Sequence, residues 1–290
     1  MSINLDVYVS PYKPIAASIP FWDSSKQATF PASSASLFTG ENEAVLIDAL
    51  LTTAEASRLC EWIRAKNKEL TTIYITHGHG DHFFGLNTIL DAFPDAKAVT
   101  LSEIVPFCEQ QVSAAALAQW NASFPNQFAE HPIVPEAMQG AAIDLEGHEI
   151  RPIVVGQSDT APSSVVHARD IDAVAGGDVA YNGIHCWLAF TDHEKREKWL
   201  AALDIIDSLK PKLLVAGHKD PNARDDDPQS ILNATRTYIR DFDKAVSESA
   251  TPQELVDTMM RSHRELGNPY TLWVAADAVK DQLGRRTVSA

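Results

Sequence analysis

The chain has 290 residues, 45% of them hydrophobic, which is enough to bury a sizeable core and too apolar for a disordered or fibrous protein. It carries 24 basic and 39 acidic residues, a net charge of −15, so its surface repels phosphate backbones and nucleic acid is a poor partner. The opening MSINLDVYVSPYKP lacks a basic region followed by an apolar core, and no run reaches the roughly 18 apolar residues of a spanning helix.

The three cysteines, Cys60, Cys108 and Cys186, are odd in number and far apart, which fits free thiols in a reducing compartment. A cytoplasmic, unexported protein with no membrane partner is expected. No internal repeat, low-complexity tract or long linker divides the chain, so one domain over 1–290 is expected.

In chain order, β-branched runs predict strands over 43–50, 71–76, 97–101, 149–156, 163–168, 172–177 and 212–217. Helical patterns lie between several of them. Residues 52–70 open with threonines that can cap, followed by Glu55, and set Ala56, Leu59, Cys60 and Ile63 on one face. Residues 192–210 do the same with Trp199, Leu200, Leu203 and Ile206, with Asp192 in the first turn. After residue 227 strand signals stop, and helical ones take over in 230–246, 251–266 and 270–283. The pattern predicts a mixed α/β fold (α/β or α+β) with a helical C-terminal segment, about 226–290, packed onto it.

The strand at 71–76 runs into THGHGDH, residues 76–82, and FFGLNTILDAF after it reads as a helix. The motif therefore lies where a strand's C-terminal end meets a helix, a place where α/β sheets bind ligands. Neutral imidazole is the commonest metal ligand: His77 and His79 can present nitrogens to one ion while Asp81 and His82 reach a neighbour. Gly78 and Gly80 let the backbone turn sharply between them. Gln157, Asp178 and His218 each follow a glycine at the end of an apolar strand and could converge on the same rim. Read alone, Asp178 is equally a turn-former and His218 equally a hydrogen-bonded histidine.

Taken in this order, THGHGDH, GQSDTAPSSVVH, AGGDVAYNGIH and VAGHKD resemble the motifs of the metallo-β-lactamase superfamily, over residues of about 40–220. The resemblance implies an αββα sandwich with a one- or two-metal centre, usually zinc, on the edge between the sheets. Carried over, His77 and His79 bind the first ion, Asp81 and His82 the second, Asp178 bridges and His218 completes the second site. Asp48 either supports the ligand loop or only caps a strand end. Where the family usually has a third histidine for the first ion, this chain has Gln157. Its neutral carbonyl oxygen is a weaker zinc ligand than imidazole and better suited to harder ions such as manganese or iron. His167 and Asp159 are the neighbouring alternatives.

The implied activity is hydrolysis of an acyl bond in a lactone, lactam, carbamate or amide by a metal-bound hydroxide, with Asp81 orienting it or handling its proton. Tyr181 and His185, just after Asp178, either supply the leaving group's proton or simply pack. Aromatic-rich stretches at 18–30, 124–128 and 183–190 either wall a pocket for a small, largely apolar substrate or form core under loops. A glyoxalase-like thioester hydrolase is the alternative, but no basic cluster is present for an anionic glutathione conjugate. A pseudoenzyme that binds metal or ligand without turnover is another. The apolar face of 270–283 could pack on its own domain or on a second copy, so a homo-oligomer stays open.

Overall fold

The computed structural model describes residues 2–16, 18–19 and 22–288, with side chains described as far as 283. Two sheets lie face to face. The first has six strands in the order Asn4–Val9, Ser34–Thr39, Glu43–Ile47, Glu69–Tyr74, Lys97–Thr100 and Glu136–Ala137. The second has five, in the order Leu213–Val215, Ala173–Ala175, Ser163–Ala168, His148–Gly156 and Ile143–Leu145.

Successive side chains of a strand point to opposite faces, and here each face meets its own core. Val45 and Ile47 join Tyr74, Val166, Ala173 and Ala175 between the sheets. Ala44 and Leu46 point the other way, onto helix Thr53–Arg64 through Ala56, Leu59, Cys60 and Ile63. On the far side Val165 and Val174 pack against helix His193–Ser208 and the C-terminal helices Pro228–Glu248, Pro252–His263 and Pro269–Val288. The result is the αββα sandwich, with the C-terminal helices in its outer layer.

Local signals act as read. Thr52 caps helix Thr53–Arg64 in a reciprocal box with Glu55, and Asp192 is the N-cap of helix His193–Ser208, accepting from Lys195 N. Trp199, Leu203 and Ile206 are fully buried, while Leu200 is only half-buried.

Several elements were not anticipated. The strands Asn4–Val9 and Ser34–Thr39 pair antiparallel with each other, and the second also with Glu43–Ile47. All of Ser34–Thr39 is buried, so its serines alternate with apolar residues without marking a solvent face. Helices Val105–Gln111 and Ala114–Ser123 were missed too; the second buries no residue completely and so shows no apolar stripe. Among the described residues no helix is long and apolar enough to cross a membrane.

Candidate metal centre

Strand Glu69–Tyr74 ends where its sheet meets the second one. The Thr76 carbonyl accepts from Ser164 N (3.0 Å) and Ser164 Oγ (2.6 Å), and Tyr74 OH lies 2.8 Å from that same hydroxyl. His77 forms an isolated bridge with Ser163. The ligand loop is thus clamped across both sheets. Asp81 and His82 project from the one-turn helix Gly80–Phe83 that follows. Gly78 and Gly80 are needed for proximity and not for sharp turning: neither has a positive φ, and an added Cβ would collide with the rings of Phe107 and Phe84 respectively.

Hydrogen bonding at the rear of each imidazole sets which nitrogen faces the centre. Asp48 Oδ2 lies 2.8 Å from His82 Nδ1; a carboxylate can only accept, so Nδ1 carries a proton and Nε2 points inward. Asp48 also takes Thr76 N (2.9 Å) and the Thr76 hydroxyl. That hydroxyl spends its proton on Asp48, so its oxygen is left to accept from His77 Nδ1 at 3.1 Å, and His77 too aims Nε2 inward. His218 Nδ1 donates to the Ala32 carbonyl at 3.1 Å, with the same result. Asp48 therefore supports the ligand loop as well as ending a strand.

The inward atoms converge. His218 Nε2 is 3.2 Å from both Asp81 Oδ2 and Asp178 Oδ2; His82 Nε2 is 3.3 Å from Asp178 Oδ1 and 3.4 Å from Asp81 Oδ2; His77 Nε2 is 3.9 Å from Asp178 Oδ2. His77 Nε2, His82 Nε2, Asp81 Oδ2 and Asp178 Oδ1 are buried with no hydrogen-bond partner. Buried polar atoms without partners are costly, and four of them facing one point describe a cation site. Ligand atoms of His77, His79, Asp159 and Asp178 lie within 4.8 Å of one another, as do those of Asp81, His82 and His218. The donor set, imidazoles and carboxylates in two adjoining groups, fits a pair of divalent ions.

Electrostatics agree. Burial, reinforced by His82, pushes His77 down to about 4, so it is neutral at pH 7. Burial acts the same way on His218, but Asp178 and Asp81 outweigh it and push it up to about 9. His82 is likewise raised well above its ordinary value, against burial, by Asp178, Asp81 and Asp48. Asp178 is held well below its ordinary value, against burial, by His218 and His82. Carboxylates packed this closely call for positive charge beside them.

The other sequence-predicted residues take different roles or places. Tyr181 is at the centre, but its hydroxyl donates to Asp178 Oδ2 at 3.1 Å and its ring lies 5.7 Å from that of His218, so it braces Asp178. His185 is turned away: its backbone N donates to the Gly267 carbonyl, its Nδ1 bonds Tyr238 OH at 2.9 Å, and its ring joins the helical layer. The bridge between Ile184 and Gly267 carries this segment toward the helical layer, and His185 does not line the cavity. Gln157 spends its amide nitrogen on the Ser158 carbonyl at 2.8 Å. Asp159, two residues on, reaches His79 Nδ1 with its Oδ2 at 2.8 Å. His167 lies on strand Ser163–Ala168, outside both ligand groups.

Above the ligands opens a cavity of ≈ 400 Å³ with His79, Asp81, Asp159, Asp178 and His218 on its floor. Phe30, Phe124, Trp187 and Phe190 come from the aromatic stretches anticipated, whereas Phe128 stacks on Phe84 instead, and Pro20 and Phe21 lie outside the described residues. Trp120 and Tyr270 complete the aromatic wall and were not foreseen. Trp120 is held by its indole N–H donating to Gln111 Oε1 (2.9 Å), and Tyr270 OH accepts from Ile19 N (3.2 Å). No lysine or arginine lines the cavity among the described residues.

A family model described as the Metallo-beta-lactamase superfamily matches residues 28–218. The chain is similar in fold to a metallo-beta-lactamase family protein from Thermus thermophilus, at 17% identity and a TM-score of 0.62 over 97% of this chain and 94% of that one. It is similar also to a metallo-beta-lactamase from Pontibacter korlensis (17% identity, TM-score 0.57, 82% and 99% covered). A third is a metallo-beta-lactamase from Pseudomonas aeruginosa in a mono-zinc form (13%, 0.57, 81% and 91%). Among curated proteins, 60 residues are 40% identical to a hydroxyacylglutathione hydrolase of Francisella philomiragia, a match spanning 21% of this chain and only 22% of that protein's length.

Proposed function

Because the chain belongs to the metallo-beta-lactamase superfamily, we propose that it is a metal-dependent hydrolase that cleaves an acyl bond in a small, uncharged, largely apolar substrate such as a lactone, lactam, carbamate or amide. The observation that carries this reading is the set of partnerless, buried side-chain atoms of His77, Asp81, His82 and Asp178 beneath an aromatic cavity that, among the described residues, no lysine or arginine lines.

His77 and His79 would hold one ion and Asp81, His82 and His218 a second, with Asp178 between them; zinc suits this mixed nitrogen and oxygen set, with manganese or iron as alternatives. A divalent ion bound there acidifies water and polarises a carbonyl. The chain's own part is to orient and to exclude. Asp48, Thr76 and the Ala32 carbonyl keep the imidazole lone pairs pointed inward. Tyr181 steadies Asp178. Asp81, whose Oδ2 has no hydrogen-bond partner and whose side chain reaches the cavity, orients the attacking water and takes its proton. The aromatic walls seat the acyl group and shed water around it.

The stretch that matches a hydroxyacylglutathione hydrolase favours a second reading, a thioester hydrolase. An anionic glutathione conjugate, however, would find no lysine or arginine among the described residues that line this cavity.

The test is turnover of a panel of aryl lactones, lactams and thioesters with and without chelator, using His82→Ala and His218→Ala. Each variant is expected to lose activity by about 10³-fold or more with circular dichroism unchanged. Full activity in both variants would sink the assignment.

A further inference from the structure

We propose that Asp159, not Gln157, is the third protein ligand of the first ion, giving that ion two imidazoles and a carboxylate in place of three imidazoles. The inference rests on the metal centre proposed above and assigns a residue to it.

Three observations carry it. Asp159 is buried, and its two oxygens have separate tasks: Oδ1 accepts from Ser158 Oγ at 2.9 Å, while Oδ2 lies 2.8 Å from His79 Nδ1. Unlike Asp48 behind His82, Asp159 lines the cavity together with His79, so the two present Oδ2 and Nδ1 to the same space. The Ser158 hydroxyl is itself 2.7 Å from Ser163 Oγ, and Ser158 N donates to the Thr160 carbonyl, so the carboxylate is held from behind by the turn that carries it. Supporting contacts of this kind orient ligands in metal sites. The group facing Oδ2 includes His77 Nε2, a buried nitrogen with no partner. Gln157, by contrast, does not line the cavity, and its amide nitrogen is tied to the Ser158 carbonyl.

The backbone shows how the shift of two residues arises. Strand His148–Gly156 loses register with Ser163–Ala168 between Val154 and Gly156, and Gly156 takes a φ of +83°. Such an irregularity re-aims the residues that follow. Asp159, not Gln157, then arrives at the rim of the cavity.

The chemical consequence is that both ions see nearly the same surroundings. One has His77, His79 and Asp159; the other has His82, His218 and Asp81; Asp178 lies beside both groups. A third imidazole would favour zinc, whereas a charged oxygen donor shifts the balance toward harder ions such as manganese.

The test needs no substrate. Metal-free protein is titrated with Zn²⁺, with Mn²⁺ and with the two in competition, and bound metal is read by elemental analysis and by the visible absorption of the Co²⁺ form. Wild type and Gln157→Ala are expected to hold two ions per chain, and Asp159→Ala one. Asp159→His is expected to hold two, with its preference for zinc over manganese raised about tenfold over wild type. If Asp159→Ala fails to fold, Asp159→Asn, which keeps the size and loses the charge, takes its place with the same expectation. The proposal is overturned if Asp159→Ala or Asp159→Asn keeps both ions at wild-type affinity, or if Gln157→Ala loses one. Because the His82 and His218 variants probe the other ion by turnover, failure here leaves the hydrolase reading standing, and failure there leaves this one standing.

Discussion

Asp48 shows how much one residue can hold. It occupies left-handed backbone, with a φ of 64°, accepts from the backbone and hydroxyl of Thr76, and fixes the orientation of His82. Asp48→Asn keeps a residue that tolerates this backbone but puts an amide nitrogen where one accepting oxygen stood. We expect metal affinity, measured by competition with a chromogenic chelator, to fall about 10- to 100-fold while the far-ultraviolet spectrum is unchanged. Unaltered affinity would mean that His82 is oriented by something else. In the sequence this aspartate reads equally as a turn cap, because nothing local reveals that Thr76 and His82 lie against it. His77, His79, Asp81 and His82 are legible for the opposite reason: they sit in one short loop, so their spacing is their geometry. Asp159 and His185 are governed by a strand irregularity and by a bridge between Ile184 and Gly267, neither of which spacing can express.

At the level of elements, the strand Glu43–Ile47 is readable as a continuous apolar run because both its faces are buried, and the helix Thr53–Arg64 by its stripe because one face is. The first two strands of the large sheet are not, since they are defined by pairing with each other. One tie between such elements is buried: Lys13 Nζ meets Glu55 Oε1 at 2.9 Å, with side chains 8% and 2% exposed, and also reaches the Pro31 carbonyl. Glu55 in turn completes the cap of helix Thr53–Arg64. Removing one member of such a pair strands a buried charge. Lys13→Met is expected to cost about 3–5 kcal/mol in denaturant unfolding, and Lys13→Met with Glu55→Gln is expected to recover part of it. A loss under about 1 kcal/mol for the single variant would show that the pair is solvated in practice.

Across the whole molecule, the ligand groups draw on both sheets. His77 to His82 follow the first-sheet strand Glu69–Tyr74, whereas Asp159, Asp178 and His218 follow strands of the second sheet. Metal ions held between them would stitch the two layers together, and chelation would leave buried carboxylates to be balanced by protons alone. Free metal at about 100 times its dissociation constant contributes about 2.7 kcal/mol per site, and for a chain of this size each kcal/mol moves the melting point by roughly 2 °C. Stripping two ions is therefore expected to lower the melting temperature by on the order of 10 °C, restored when Zn²⁺ is added back. A melting curve indifferent to chelator would argue that the layers need no such stitch.

The cavity has one further consequence. Every ligand side chain lies between residues 77 and 218, yet much of the chamber above them is built by Ile15, Ile19 and Phe30 on one stretch and by Tyr270, Thr271 and Val274 on another. Part of the chamber's shape is thus set by stretches of the chain that carry none of the candidate ligands. Those outer stretches can drift, or be exchanged by design, to reshape the chamber while the candidate metal centre stays as it is.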